Sequence, residues 1–315
     1  MTDLVFRPLR DEGEFKLFSA ITAPLPVTGV GVRAKPFEDL LEEYRPDWLW
    51  LAQRGDEVVG RAAFWGPAGA EHPWALDHFD FDTVETGAAL LVAAYVALVG
   101  PDYVHPWGSK RPEYSLFLPP DWRERPDAFA EASVRIEAAE RAGLTLLVER
   151  LAERWEPEWG LPPRSTRLTF EPVGPGDEPL RGLLEQIVSG SLDAYDLRDV
   201  RELGVEGAAG HALESLNDMD PGRSRWRYGY DAAGDLVGMV LPVDNGRFAT
   251  IGYIGVDRRH RGRGYAFDLL AEALHLFAAE GRPYVLDNTD VGNHPMAATF
   301  ARAGYRVTGR RMIFT

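Results

Sequence analysis

Asp257-Arg258-Arg259-His260-Arg261-Gly262-Arg263-Gly264 stands between two strongly patterned segments. Before it, Phe248 to Val256 reads as a β-strand. After it, Ala266, Leu269, Leu270, Ala273, Leu274 and Phe277 recur at helical spacing, with Asp268, Glu272 and His275 on the opposite face. Gly281 supplies a helix stop, Pro283 lies just beyond, and Tyr284-Val285-Leu286 reads as the next strand. The order is therefore strand, basic loop, helix, strand. At such a junction glycines let the backbone approach an anion, the new helix offers unpaired N–H groups at its positive end, and arginines add mobile charge: the makings of a phosphate cradle. A solvated basic turn would share this composition, whereas a disordered Gly-Arg tract would not be framed by two patterned elements.

Arg259-His260-Arg261-Gly262-Arg263-Gly264 resembles the R/Q-x-x-G-x-G/A loop with which the GNAT superfamily of N-acyltransferases holds the pyrophosphate of acetyl-CoA. Asn293-His294-Pro295-Met296 through Ala303-Gly304-Tyr305 is similar to that family's N-x-P-M…GF/GY ending. A dinucleotide fingerprint is excluded by the missing third glycine and the late position in the chain, and a Walker loop by the absence of Gly-Lys-Ser/Thr.

The chain has 315 residues, 45% of them apolar, which is enough for two domains with cores of their own. No apolar run reaches the ~18 to 20 residues of a membrane span, and Met1-Thr2-Asp3-Leu4 does not begin a basic-then-apolar leader. The absence of cysteine excludes disulfides, a thiol nucleophile and thiolate metal sites. The seven histidines show no metal-ligand spacing, so no metal is expected. A net charge of −15 argues against nucleic acid or an anionic membrane surface as partner and favours a cationic acceptor, although an acidic exterior also simply maintains solubility. Cytoplasmic localisation is the expectation. Only Lys16, Lys35 and Lys110 among the 34 basic residues are lysines.

The chain repeats itself. Phe6-Arg7-Pro8-Leu9 has a counterpart in Phe170-Glu171-Pro172-Val173. The hairpin Trp48 to Ala52, Arg54-Gly55-Asp56, Val58 to Phe64 matches Trp226 to Tyr230, Ala233-Gly234-Asp235, Leu236 to Val240. Arg141-Ala142-Gly143-Leu144 ends one helix as Arg302-Ala303-Gly304-Tyr305 ends another. The offsets drift, as insertions and deletions in a duplicated unit would make them. An α/β (α+β) fold of two tandem GNAT-like domains is expected, residues 1–163 and 164–315, each a mixed, mostly antiparallel sheet with flanking helices. The Pro- and Gly-rich segment Glu158 to Ser165 marks the boundary, and the resemblance implies a joined pseudo-dimer, either as a monomer or further paired as a homodimer.

In the first copy the place of the basic loop is taken by Phe79-Asp80-Phe81-Asp82-Thr83-Val84-Glu85-Thr86-Gly87, ahead of a helix from Ala88 to Leu98. Three carboxylates there would repel a diphosphate, so this copy reads as structural, or else as the site of a cationic ligand. Trp48, Trp50, Trp65, Trp74, Trp107, Trp122, Trp155 and Trp159 all precede residue 163; they read as packing, with an aromatic cage for a cation as the sharper alternative. In the second copy, a strand over 167–173 leads to helices near Glu178 to Ser191 and Val205 to Asn217 and strands near 224–230 and 236–243, with Arg198 to Glu206 and Met219 to Arg225 as loops.

The resemblance implies direct acyl transfer from acetyl-CoA to an amine, with a base or water chain taking the proton and the coenzyme thiolate leaving. It assigns the pantetheine arm to Ile254, Gly255 and Val256, and the pyrophosphate to backbone amides from Arg261 through Gly262, Arg263, Gly264 and Tyr265 to Ala266. Side chains of Arg258, Arg259 or Arg263 would reach the ribose phosphate. Asn288, Thr289 and Asn293 would position pantetheine, Asn293 also capping the last helix. Candidate proton acceptors are Asp287, Asp290 and Tyr253. Many relatives carry a tyrosine seven residues after the asparagine as acid; here that position is Phe300. Either the thiolate leaves unaided, or Tyr253 or Tyr305 serves, or the chain only binds coenzyme. The expected acceptor is a small primary amine; a protein lysine or N-terminus and a non-catalytic acyl-CoA-binding scaffold are the alternatives.

Overall fold

A computed structural model describes residues 4–21, 44–103, 105–106, 108–244 and 248–315; Lys35 and Trp107 lie outside the described residues. The chain divides into two compact units, one made of residues 1–149 and 309–315, the other of residues 150–308.

In unit 1, β1 (Leu4–Pro8), α1 (Phe15–Ser19), β2 (Leu49–Arg54), β3 (Glu57–Trp65), β4 (Ala75–Phe81), α2 (Val84–Leu98), β5 (Glu113–Leu118) and α3 (Pro126–Arg141) follow in chain order. β6 (Leu146–Trp155) crosses into unit 2, where β7 (Thr169–Pro172), α4 (Glu178–Val188), α5 (Ala194–Met219), β8 (Arg227–Tyr230), β9 (Leu236–Asp244), β10 (Ala249–Val256), α6 (Tyr265–Ala279), β11 (Val285–Asp290) and α7 (His294–Arg302) follow. β12 (Arg306–Phe314) returns the chain to unit 1.

The strands of the two units follow the same plan. In unit 1 the order is β1-β2-β3-β4-β5, closed by residues 310–314 of β12. In unit 2 it is β7-β8-β9-β10-β11, closed by residues 150–155 of β6. Each set is antiparallel except at one pair, β4–β5 or β10–β11, where short parallel pairing gives way. Each unit's sixth strand thus comes from sequence that follows the other unit's fifth. The boundary expected at 163/164 lies inside unit 2, in the connection from β6 to β7; Pro and Gly punctuate the local chain there, but the pairing partner of β6 is set by contacts far along the sequence.

The repeated helix endings are matching Schellman motifs. Gly143 and Gly304 have φ of 85° and 95°, and the amides of Leu144 and Tyr305 reach back to the carbonyls of Ala139 and Phe300. In unit 2, α4 and α5 cover one sheet face with Leu184, Ile187, Leu213 and Trp226 in the core. On the other face α6 and α7 bury Leu270, Leu274, Phe277 and Phe300 against Trp155 and Val285. The polar face of α6 is also covered: Asp268 pairs with Arg167, Glu272 with Arg164, and His275 Nε2 meets the carbonyl of Pro162 at 2.9 Å.

Two expectations need correction. Arg198 to Glu206 is not a loop, because α5 starts at Ala194 and breaks only at Gly204, whose φ of 74° interrupts the helix. The acidic segment of unit 1 is not a loop either: β4 runs to Phe81, and α2 begins at Val84 behind Thr83, whose side chain accepts the Thr86 amide. Only two residues separate strand from helix, and the cap occupies a donor that an anion would need.

The buried tryptophans serve packing. Trp48, Trp50, Trp122 and Trp155 are buried, Arg45 lies 4.5 Å from the Trp48 ring centroid, and Arg306 lies 4.0 Å from that of Trp159. No helix among the described residues is long and apolar enough to cross a membrane.

Close packing of β9, β10 and α6 leaves no room at Gly238, where an added Cβ would fall 2.3 Å from the Gly255 carbonyl oxygen. Gly238→Ala is expected to lower unfolding stability by about 2 to 3 kcal/mol, read as a reduced urea midpoint with unchanged slope.

Candidate functional site

The basic segment is an ordered turn rather than a simple loop. Asp257, 2% exposed, caps a 3-10 turn over Arg258–His260 by accepting the Arg259 amide. The chain then passes through Gly262 and Gly264, with φ of 76° and 78°, into α6. An added Cβ would meet nothing within 4 Å at Gly262 and only an Arg167 nitrogen at 3.7 Å at Gly264. Backbone conformation, not space, therefore calls for glycine at both positions. Gly264 is the N-cap of α6 and has no side chain to cap with. Among the described residues, the amides of Gly262, Arg263, Gly264, Tyr265 and Ala266 make no backbone or side-chain hydrogen bond. Five consecutive free donors at a helix start form a concave positive end.

The four arginines divide by what they touch. Arg261 is spent on the protein: Nε donates to the Val256 carbonyl at 3.0 Å, and its terminal nitrogens donate to the carbonyls of Gly190 at 2.6 Å and Ile187 at 3.0 Å. It closes the C-terminal end of α4, and its amide turns inward to the Arg258 carbonyl at 3.4 Å. Its amide thus departs from the pyrophosphate-binding part expected of it, and its guanidinium is engaged within the protein. Arg259 pairs with Asp257 at 2.8 Å while remaining largely exposed. Arg258 and Arg263 are exposed and make no ion pair among the described residues.

Beside this turn the sheet opens. β10 and β11 pair in parallel only at Ala249 and Val285, while the other edge of β10 stays paired to β9 through Val256, across a bulge at Gly252. Ile254, Gly255 and Val256 therefore present an edge unpaired by β11. Asp287 spans the start of the opening: Oδ1 accepts from Ile251 N at 2.7 Å and Thr250 Oγ1 at 2.9 Å, and Oδ2 accepts from the Tyr305 hydroxyl at 2.6 Å. Burial pushes the Asp287 carboxyl up, against the pull of these three donors. Tyr305 is buried edge-on to Phe300, with ring centroids 4.7 Å apart, and burial together with Asp287 holds its hydroxyl well above the ordinary tyrosine range.

Tyr253 belongs to a different group. Its hydroxyl donates at 2.8 Å to Asp196 Oδ2, in the first turn of α5. Burial, with Asp193 and Asp199 nearby, pushes the Asp196 carboxyl up to about 6, and the hydrogen bonds from Ser191 and Tyr253 only partly offset this. The neighbouring carboxylates all have cationic partners: Asp193 and Asp290 with Arg150, Asp199 with Arg198. Asp196 has none among the described residues. The sequence reading missed it, although Asp193, three residues ahead, carries an N-cap signal.

Asn293 caps α7 by accepting the Met296 amide at 3.3 Å, and Asn288 is exposed on β11 with no side-chain hydrogen bond among the described residues. Thr289 and Asp290 are buried, Asp290 accepting from Arg150 Nε and the Ala194 amide, each at 2.7 Å. The structure thus brings Asp287 with Tyr305, and Tyr253 with Asp196, as two separate groups. Among the described residues no three His, Asp or Glu side chains are grouped to hold a metal ion.

Unit 1 lacks the basic turn, and a side chain takes up the edge where its own sheet parts. Past the parting of β4 and β5, the buried Arg135 donates to the Phe79 carbonyl at 3.2 Å and pairs with Asp80 at 2.8 Å. Asp82 and Glu85 pair with Arg54 and Arg141, so each of the three acids there has an arginine partner.

Residues 194–305 match the acetyltransferase (GNAT) family. Among solved structures, a GCN5-related N-acetyltransferase from Sphaerobacter thermophilus is similar over 99% of this chain and 94% of its own, at 15% identity and a TM-score of 0.55. A tandem GNAT protein from the clavulanic acid biosynthesis pathway is similar over 99% of this chain and 98% of its own, at 18% identity and a TM-score of 0.51. A glucosamine N-acetyltransferase region of a fungal multi-domain β-N-acetylglucosaminidase is similar over 100% of this chain and 38% of that one, at 12% identity and a TM-score of 0.56. No curated protein matches. At these identities the solved structures speak to fold alone, and the one described as tandem is similar over 99% of this chain.

Proposed function

Taking as premise that residues 194–305 are an acetyltransferase domain of the GNAT family, we propose that unit 2 moves an acyl group from acetyl-CoA to the primary amine of a small, cationic acceptor. The observation that carries this is the run of five free amides from Gly262 to Ala266, flanked by the unpaired Arg258 and Arg263. These residues fit a diphosphate: donors without partners, left-handed glycines and a positive helix end coincide.

When bound, acetyl-CoA supplies an activated acyl thioester. The chain's residues do the rest. Ile254 to Val256 offer the unpaired edge of β10 along which an amide-bearing arm can be held. Asn288 and Asn293 stand on the β11–α7 side. Asp196, ionised at neutral pH and without a cationic partner, attracts an ammonium group, and after that group has lost a proton to solvent it takes the second proton as nitrogen attacks. Tyr253 holds that carboxylate in place. This assigns proton acceptance to Asp196 rather than to Asp287, whose oxygens already accept three hydrogen bonds. Unit 1 serves as a structural partner.

Calorimetry on the full chain is expected to show coenzyme A binding, and thiol release from acetyl-CoA to rise with some member of a small-amine panel. Removing Arg258 and Arg263 together should weaken coenzyme affinity about 10- to 100-fold, whereas Arg259→Ala should do less because its charge already answers Asp257. Absence of coenzyme binding by the folded wild-type chain sinks the assignment.

A further inference from the structure

Glu153 reaches unit 2 on β6, outside the segment that matches the family. It is the direct cross-strand partner of Asp287, so the two side chains share a face of the sheet. Glu153 is 3% exposed, and its Oε2 is buried with no hydrogen-bond partner. Asp287 has three donors; Glu153 has none among the described residues.

The groups around Glu153 all disfavour its charge. From β11 it faces the Asp287 carboxyl, and Tyr305, at the entry to β12, is the other titratable group that senses it. Trp155, two residues along on the same face, belongs to the apolar core with Phe300. No arginine, lysine or histidine pairs with it among the described residues. Two facing buried carboxyls cannot both ionise cheaply, so the one with donors keeps the charge and the one without holds the proton. Burial, reinforced by Asp287, pushes the Glu153 carboxyl up to about 8.

Asp287 is the group that spans the opening between β10 and β11, and Glu153 stands one strand behind it. We propose that Glu153 is a neutral carboxylic acid at physiological pH and that the Glu153–Asp287 pair holds the proton that neutralises the departing thiolate. The inference rests on the acyl-transfer reading above. As the C–N bond forms and the C–S bond breaks, the electron pair of the latter goes to sulfur. The proton of Glu153 passes to sulfur by way of the one lone pair of Asp287 that no donor fills, Glu153 is left as carboxylate, and the proton of the attacking amine goes to Asp196. Solvent then restores Glu153 and relieves Asp196. Glu153 is thus a positioning residue that works through Asp287.

The first test needs no substrate. Infrared spectra of wild-type protein with isotopically labelled glutamate should show a buried protonated carboxyl at pH 7 that titrates near pH 8 and disappears in Glu153→Gln. The fold should report the same proton. Because the folded pKa exceeds the unfolded one, the unfolded chain binds fewer protons between about pH 4.5 and 8, so Glu153 costs stability increasingly as pH rises through that window. Glu153→Gln should lose that slope.

In turnover, Glu153→Gln should reduce kcat about 100-fold, leave KM and coenzyme A affinity unchanged and abolish a fall in wild-type rate above pH 8; Glu153→Asp should restore part of the rate. Absence of the protonated band, or a wild-type kcat and alkaline limb in Glu153→Gln, overturns the proposal while leaving acyl transfer intact. Failure of the wild-type chain to bind coenzyme A overturns both.

Discussion

Asn at position 196 is expected to lower kcat about 100- to 1,000-fold and to remove the acid limb of the rate profile. The carboxylate of Asp196 is the acceptor-side base of the reading above, poised near pH 6 by burial and by Asp193 and Asp199. Wild-type rate should therefore fall as pH drops through about 6. Asparagine keeps the shape and still accepts the Tyr253 hydroxyl, but takes no proton. Stability should move the other way. The Asp196 pKa lies above its unfolded value, so ionised Asp196 costs stability increasingly as pH rises from about 3.8 through 6. Asp196→Asn should accordingly be slower and more stable at pH 7, the exchange of activity for stability found where an active site holds an unfavourable charge. Stopped-time thiol release and a urea titration on the same preparation measure both; a variant of undiminished kcat removes Asp196 from the chemistry.

Gly264→Thr is the second large effect. It introduces at the start of α6 the residue type that caps α2, where Thr83 takes the Thr86 amide. At Gly264 the side chain would claim amides that are otherwise free, and a β-branched residue at φ of 78° strains the turn that aims the others. Coenzyme affinity should fall at least about 100-fold, consistent with the loss of one or two charge-assisted hydrogen bonds and displacement of their neighbours. Calorimetry reads the affinity and circular dichroism the fold; an affinity within a few-fold of wild type would mean that the turn does not carry the diphosphate.

What the sequence disclosed follows the range of the forces involved. Helix α6, its Gly281 stop, the Asn293 cap and the paired Arg-Ala-Gly endings are written in nearest neighbours, and the structure reproduces each. The glycines of the basic turn were legible because only a positive φ explains two in three residues there. The division of labour among the arginines was not, since composition cannot tell that Arg261 faces the end of α4. Asp196 lies just ahead of the Arg198 to Glu206 segment whose Gly and Asp content suggested a loop, and its shifted acidity arises from burial that no local pattern encodes. Glu153 was the most hidden. Its strand alternates too weakly to name a face, and the Asp287 opposite lies more than a hundred residues away.

The exchange of closing strands has a consequence for any attempt to divide the protein. Cut at 163/164, the first fragment would keep β6, which unit 2 needs, and the second would keep β12, which unit 1 needs. Each piece would expose a raw sheet edge and carry, as a loose tail, the missing part of the other. The second fragment would also lose Arg150, the counter-ion of Asp193 and Asp290, although it contains the entire family-matched segment. Neither fragment is a self-sufficient module, and activity would return only by mutual complementation.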